Sequence, residues 1–140
     1  MTTRADKITQ VTKTPDLFSD FLDDMVPHPV TGDLARIKNE QSIKQSLRNI
    51  VLTNYGERPF QSYIGSNVNR SLFDMNDSIT AESIRAHVDV AIKNCEPRVN
   101  LIDVSVNSFP MEDKMAVNIV FAIINSTALQ NLNLIIKRVR

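Results

Sequence analysis

A single cysteine, Cys95, stands among the 140 residues, and tryptophan is absent altogether. One thiol excludes a disulfide within the chain and points to a reducing compartment. It also leaves no structural zinc site, since Cys95, His28 and His87 lie far apart with no paired ligands. Three glycines are too few for a phosphate-cradling loop. No serine stands in a Gly-x-Ser-x-Gly turn. An excess of either charge is missing as well: 16 basic residues balance 16 acidic ones, so nothing suggests a nucleic-acid or membrane surface. Residues 1–18 carry no apolar run of the signal-peptide kind. The longest apolar stretch, Met115–Ile124, is interrupted by Asn118 and falls far short of the ~20 residues that span a membrane. The expectation is therefore no cofactor and no metal.

What is present suffices for one modest core, with 42% of residues hydrophobic. Residues 1–32, rich in Thr, Asp and Pro, read as an N-terminal arm; residues 33–140 read as a single domain. In the arm, Leu17, Phe18, Phe21, Leu22 and Met25 have helical spacing and would pack on the body or on a partner. Asp33–Lys38 reads as a short strand. Ile43, Leu47, Ile50 and Val51 then mark one face of a helix, capped by Asn39 or Ser42 and ended by a left-handed cap near Gly56. The loop that follows offers Phe60, Tyr63 and Phe73 as core plugs. A second helix, Ala81–Asn94, takes Thr80 as its cap and buries Ile84, Val88, Ala91, Ile92 and Cys95; Pro97 ends it.

From Val99 the apolar period changes from helical to two. Ile102, Val104 and Val106 alternate with Asp103, Ser105 and Asn107, and after a turn at Pro110–Lys114 Val117, Ile119, Phe121 and Ile123 alternate again. This is an antiparallel hairpin. At the C-terminus Leu132, Leu134 and Ile136 share one face of a further strand, with Ile135, Lys137 and Val139 on the other. That strand either closes its own sheet or pairs with another chain. The fold class is α+β: two helices packed on a small antiparallel sheet, with an extended N-terminal arm and a C-terminal strand.

Chemistry is hard to find. Two-carboxylate catalysis needs an acid whose pKa is raised. Glu82 belongs to a helix start and Glu112 to a turn, while Glu57 and Glu96 each stand beside an arginine, Arg58 and Arg98, which holds a carboxylate ionised. His87 reads as a surface or half-buried helix residue and Cys95 as an inert thiol. No catalytic residue is assigned; the pattern is that of an assembly component.

Two motifs carry a resemblance. Gly56-x-Arg58-Pro59-Phe60 is followed after four residues by Gly65 and after six more by Leu72-Phe73; twenty-two residues further on comes Glu96-Pro97-Arg98. From about Ala35 to Asn125 the chain resembles the small baseplate wedge proteins of contractile-tail phages, the sheath-initiator family, to which a subunit of type VI secretion baseplates is similar. The resemblance implies a structural virion protein with six copies around the tail tube, each clamping the helical core bundle of two larger wedge subunits. It implies docking on that bundle for Glu96, Pro97 and Arg98. It also implies strand exchange with the tail sheath protein, carried here to Leu132, Leu134, Ile136 and Arg138. An internal salt bridge that only shapes the corner is the competing role for Glu96 and Arg98. Gly56, Arg58, Pro59, Phe60, Gly65, Leu72 and Phe73 are expected to be structural. Some relatives carry an older lysozyme-like label, which makes a tail-associated peptidoglycan-degrading enzyme the alternative. The carboxylates do not support it.

Overall fold

The computed structural model of the protein describes residues 16–75, 77–109, 111, 113–124, 126 and 128–137. The arm before residue 16, the turn residues Pro110 and Glu112, and Arg138, Val139 and Arg140 lie outside them. Eight elements follow one another: β1 (Ser19–Phe21), β2 (Arg36–Lys38), α1 (Glu40–Leu52), α2 (Val68–Ser71), α3 (Ser78–Cys95), β3 (Val99–Phe109), β4 (Lys114–Ile123) and β5 (Leu129–Lys137). The last three form an antiparallel sheet in the order β3-β4-β5. The helices cover one face of it, as the change of period predicts.

The core lies between these layers. β4 is its centre, with Met115, Val117, Ile119, Phe121 and Ile123 all buried in strict alternation. Ile43, Leu47 and Val51 of α1 and Ile84, Val88 and Ile92 of α3 meet them from above. Burial of a side chain such as Phe121 contributes about 1.5–3 kcal/mol. Leu134 and Ile136 are also buried in this core and Leu132 packs against it, so β5 closes the chain's own sheet.

Several local expectations are corrected. Phe18, Phe21 and their neighbours do not form a helix. Ser19–Phe21 pairs antiparallel with Arg36–Lys38, and the pairing satisfies backbone groups of both segments at once. This hairpin is fastened to α1 by side-chain amides. The Asn39 Oδ1 accepts from the Leu17 and Phe18 N–H groups, and Gln45 donates to the Phe21 carbonyl. Asn39 thus stands at the head of α1 without capping it, and Ser42 is buried inside the helix. Asp77, not Thr80, caps α3, its carboxylate accepting from the Thr80 N–H at 2.9 Å. That bond holds the Asp77 carboxyl below its ordinary pKa. α1 ends in an extended Thr53 rather than at a left-handed Gly56. A bulge between Leu101 and Asp103 throws Ile102 out of the inward register, leaving it exposed. Cys95 is half-buried rather than part of the α3 stripe.

Phe60, Tyr63 and Phe73 are exposed, so none plugs the core. The reason is the neck of their loop. Asn54 and Ser66 form a parallel bridge, and the Ser66 N–H donates to the Thr53 carbonyl at 2.8 Å. A Cβ at Gly65 would lie 2.7 Å from that same carbonyl oxygen. Closure at this point sends Ser66 and Val68 inward and leaves Phe60 and Tyr63 on the outer turn; Phe73 lies beyond the neck, after α2.

Candidate partner-docking site

The corner after α3 is built around a buried carboxylate. Glu96 is only 3% exposed because α3 continues hydrogen bonding through its N–H, donated to the Ile92 carbonyl at 2.9 Å. Pro97 then fixes the turn out of the helix, and Arg98 returns over Glu96. Arg98 donates from Nε to Oε1 at 2.6 Å and from Nη2 to Oε2 at 2.7 Å. The Ser46 hydroxyl of α1 donates to the same Oε2 at 2.6 Å. Burial pushes the Glu96 carboxyl up, but the hydrogen bonds from Arg98 and Ser46, with the charge of Arg98, outweigh it and hold the pKa below the ordinary carboxylate value. The bond to Glu96 in turn raises the Arg98 guanidinium above its ordinary value. Such a two-pronged, charge-assisted pair is the strong kind.

Glu96 is therefore committed inside the chain, and the internal salt bridge weighed from the sequence is present. Ser46, fifty residues away in the sequence, has no local signal that could have revealed it. Arg98 alone of the pair reaches the surface, its side chain 37% exposed. Its guanidinium lies over the Phe18 ring at 5.4 Å from the centroid, which fastens the β1–β2 hairpin to the corner.

The second motif faces the other way. Glu57 is exposed, its carboxylate accepting from the Asn54 N–H at 2.8 Å. Arg58 is exposed and has no ion pair among the described residues. Phe60 has φ +67° and an exposure of 105%, so its ring stands out in solvent. A left-handed backbone costs a non-glycine residue about 1–3 kcal/mol, and no burial here offsets it. Gly56 takes the same handedness, at φ +83°, without that cost.

Arg58 also lines a cleft of ≈ 130 Å³ whose walls include Asp20, Ser46, Asn49, Ile50 and Ile64; the corner reaches this cleft through Ser46. Arg58 lines one side; Ser46, the residue that holds Glu96, lines the other. Leu72 packs against the core and takes no part in this cleft.

The C-terminal site residues sit elsewhere. Leu132, Leu134 and Ile136 face the core, so what β5 exposes is a backbone edge that no other described strand pairs with and its outer face, where Ile135 is 74% exposed. β3 is the opposite edge, but its bulge and the Arg85–Asp103 ion pair with α3 break up that side. β5 runs nine residues along β4 without a register shift.

Residues 38–128 match the family model described as baseplate wedge protein gp25. The chain belongs to the gp25 baseplate wedge family. It is 32% identical to the baseplate wedge protein gp25 of Enterobacteria phage T4 over 96 residues, 67% of this chain and 71% of that one. Two solved structures share the fold. One, a Geobacter sulfurreducens protein bearing the provisional description of a tail lysozyme, superposes with a TM-score of 0.65 at 24% identity, covering 72% of this chain and 92% of its own. The other, a chain of the anti-feeding prophage baseplate, gives a TM-score of 0.61 at 19% identity, covering 84% and 83%. Both gp25-family motifs quoted from the sequence fall within the matched residues.

Proposed function

We propose that this chain is a structural subunit of a contractile-tail baseplate wedge, present in the virion tail after assembly in the host cytoplasm. It clamps the helical core bundle formed by two larger wedge subunits, and it starts sheath polymerisation around the tail tube. Six copies would serve one baseplate; the anti-feeding prophage baseplate is itself described as 6-fold symmetrised. The observation that carries the docking role is Arg98, which is held rigid by a buried carboxylate yet presents one side of its guanidinium to the surface. A planar fork fixed in this way suits a carboxylate or the carbonyl end of a partner helix.

The test must not strand a buried charge. Replacing Glu96→Gln and Arg98→Met together removes the ion pair from both sides. The double variant should fold normally and capture the purified complex of the two larger wedge subunits at least about tenfold more weakly, as loss of a charge-assisted contact worth ~1.5–3 kcal/mol requires. Undiminished capture would contradict the docking role.

For sheath initiation the support is β5, a long, regular and uncovered edge. Strand addition there would use backbone groups and the outer face rather than Leu134 and Ile136, which are buried, or Leu132, which packs against the core. Lysines at Asn131, Asn133 and Ile135, all exposed, should leave wedge assembly intact and suppress sheath growth on the finished baseplate. Normal sheaths on such baseplates would exclude this edge.

A peptidoglycan-degrading enzyme is the second reading, favoured by the description of the Geobacter fold relative. Among the described residues Glu96 is the one buried carboxylate, and its pKa is moved away from that of a general acid. Purified protein should not clear peptidoglycan.

A further inference from the structure

We infer that the loop Gly56–Gly65 is a second docking element, with Phe60 as an anchor that enters an apolar socket on the core bundle and Arg58 as a cation meeting a carboxylate at the rim of that socket. The inference rests on the proposed docking of the corner to the same bundle.

Three observations carry it. First, Phe60 is unfavourable twice over within the chain: its backbone is left-handed and its ring is wholly in water. A phenylalanine kept in that state finds its compensation outside the chain, by burial against another surface. Second, the loop is held rather than loose. The Gly56 N–H donates to the Ser62 carbonyl at 2.9 Å, the Glu57 N–H to the Asn54 carbonyl at 3.1 Å, and the Ile64 N–H to the Gln61 carbonyl at 3.1 Å. Together with the Asn54–Ser66 bridge, these fix the tip before any partner arrives, so little ordering entropy is lost on contact. Third, Arg58 beside Phe60 is exposed and has no ion pair among the described residues, while the neighbouring Glu57 carboxylate accepts from the Asn54 N–H. The complementary surface is apolar with an acidic rim.

Position names the occupant. Arg58 and Ser46 line one cleft, and Ser46 holds the carboxylate on which Arg98 rests. A partner helix seated on Arg98 and running along that cleft therefore reaches Arg58, with Phe60 two residues further along the loop. A sheath subunit added at β5 would meet other residues.

The test uses the full-length chain and the purified complex of the two larger wedge subunits. Phe60→Gly removes the anchor and permits the left-handed backbone. It should weaken capture at least about tenfold, as loss of an aromatic hot spot does, while the unfolding midpoint stays level or rises. Arg58→Gln should weaken capture severalfold and flatten its dependence on salt. A photo-crosslinking p-benzoylphenylalanine at position 60 should attach to a larger wedge subunit in assembled wedges. Full capture by Phe60→Gly, with capture lost in the Glu96→Gln/Arg98→Met variant, would overturn this inference and leave the corner's role intact. Full capture by both would overturn the two together. A crosslink to a second copy or to the sheath protein would also overturn it, as would a lowered midpoint in Phe60→Gly.

Discussion

The corner at Glu96–Arg98 and the loop at Arg58–Phe60 each pair an arginine with a nearby proline, yet they sit at opposite extremes of satisfaction. At the corner every oxygen of a buried carboxylate is used, by Arg98 and by Ser46. At the loop the arginine has no counter-ion among the described residues and the aromatic beside it is fully exposed. The difference teaches that a short motif in a sequence can serve the fold or serve a partner, and that its residue types do not say which. Burial and hydrogen-bond accounting do. Removing a group from the satisfied motif leaves an orphan inside the chain; removing one from the unsatisfied motif leaves nothing unpaired.

The largest effect expected from breaking the contrast is at the corner. Glu96→Ala strands Arg98 and the Ser46 hydroxyl, and should lower the unfolding free energy by about 3 kcal/mol, the low end for a broken buried pair since Arg98 reaches water. Chemical denaturation measures this directly; a loss below ~1 kcal/mol would mean the pair holds little of the fold.

Gly65→Ala attacks the neck that keeps the loop outside the core. The new Cβ would meet the Thr53 carbonyl oxygen at 2.7 Å, on a backbone with φ +140°, and should cost about 2–3 kcal/mol. Faster proteolysis within residues 54–66 should accompany it. An unchanged midpoint would show that the neck yields freely.

A smaller effect appears with pH. The folded pKa of Glu96 lies below its ordinary value of 4.5, so the ion pair contributes its full stability above that value. The contribution is lost as pH falls through the depressed folded pKa. Midpoints of the wild type should therefore fall more steeply, as pH drops from about 4.5 through that depressed pKa, than those of the Glu96→Gln/Arg98→Met variant, and the two curves should run parallel near neutrality. Asp77 acts in both proteins and cancels in the comparison.

Much of the architecture was legible because it is periodic. β4 buries every second residue from Met115 to Ile123, and Ile84, Val88, Ala91 and Ile92 recur at helical spacing. Where register depends on one extra residue, as at Ile102, periodicity fails without warning, since a bulge changes no residue type. The aromatics misled for a related reason: Phe60 and Tyr63 have core chemistry, but the close approach at Gly65 decides which way their loop turns. The short β1–β2 hairpin was hidden by five apolar residues whose spacing also suits a helix. Of the docking site, the sequence showed both motifs and the ion pair as a competing role. It did not show Ser46 or Asp20, which reach the cleft from distant segments.

The most direct test compares Arg98→Ala with Phe60→Gly in one thermal-unfolding experiment. If the corner holds the fold as well as meeting a partner, and the loop serves a partner alone, Arg98→Ala should lower the midpoint by roughly 10 °C, as ~3 kcal/mol implies for a domain of this size, while Phe60→Gly stays within a degree or rises. Equal losses, or the larger loss at Phe60, would contradict that division.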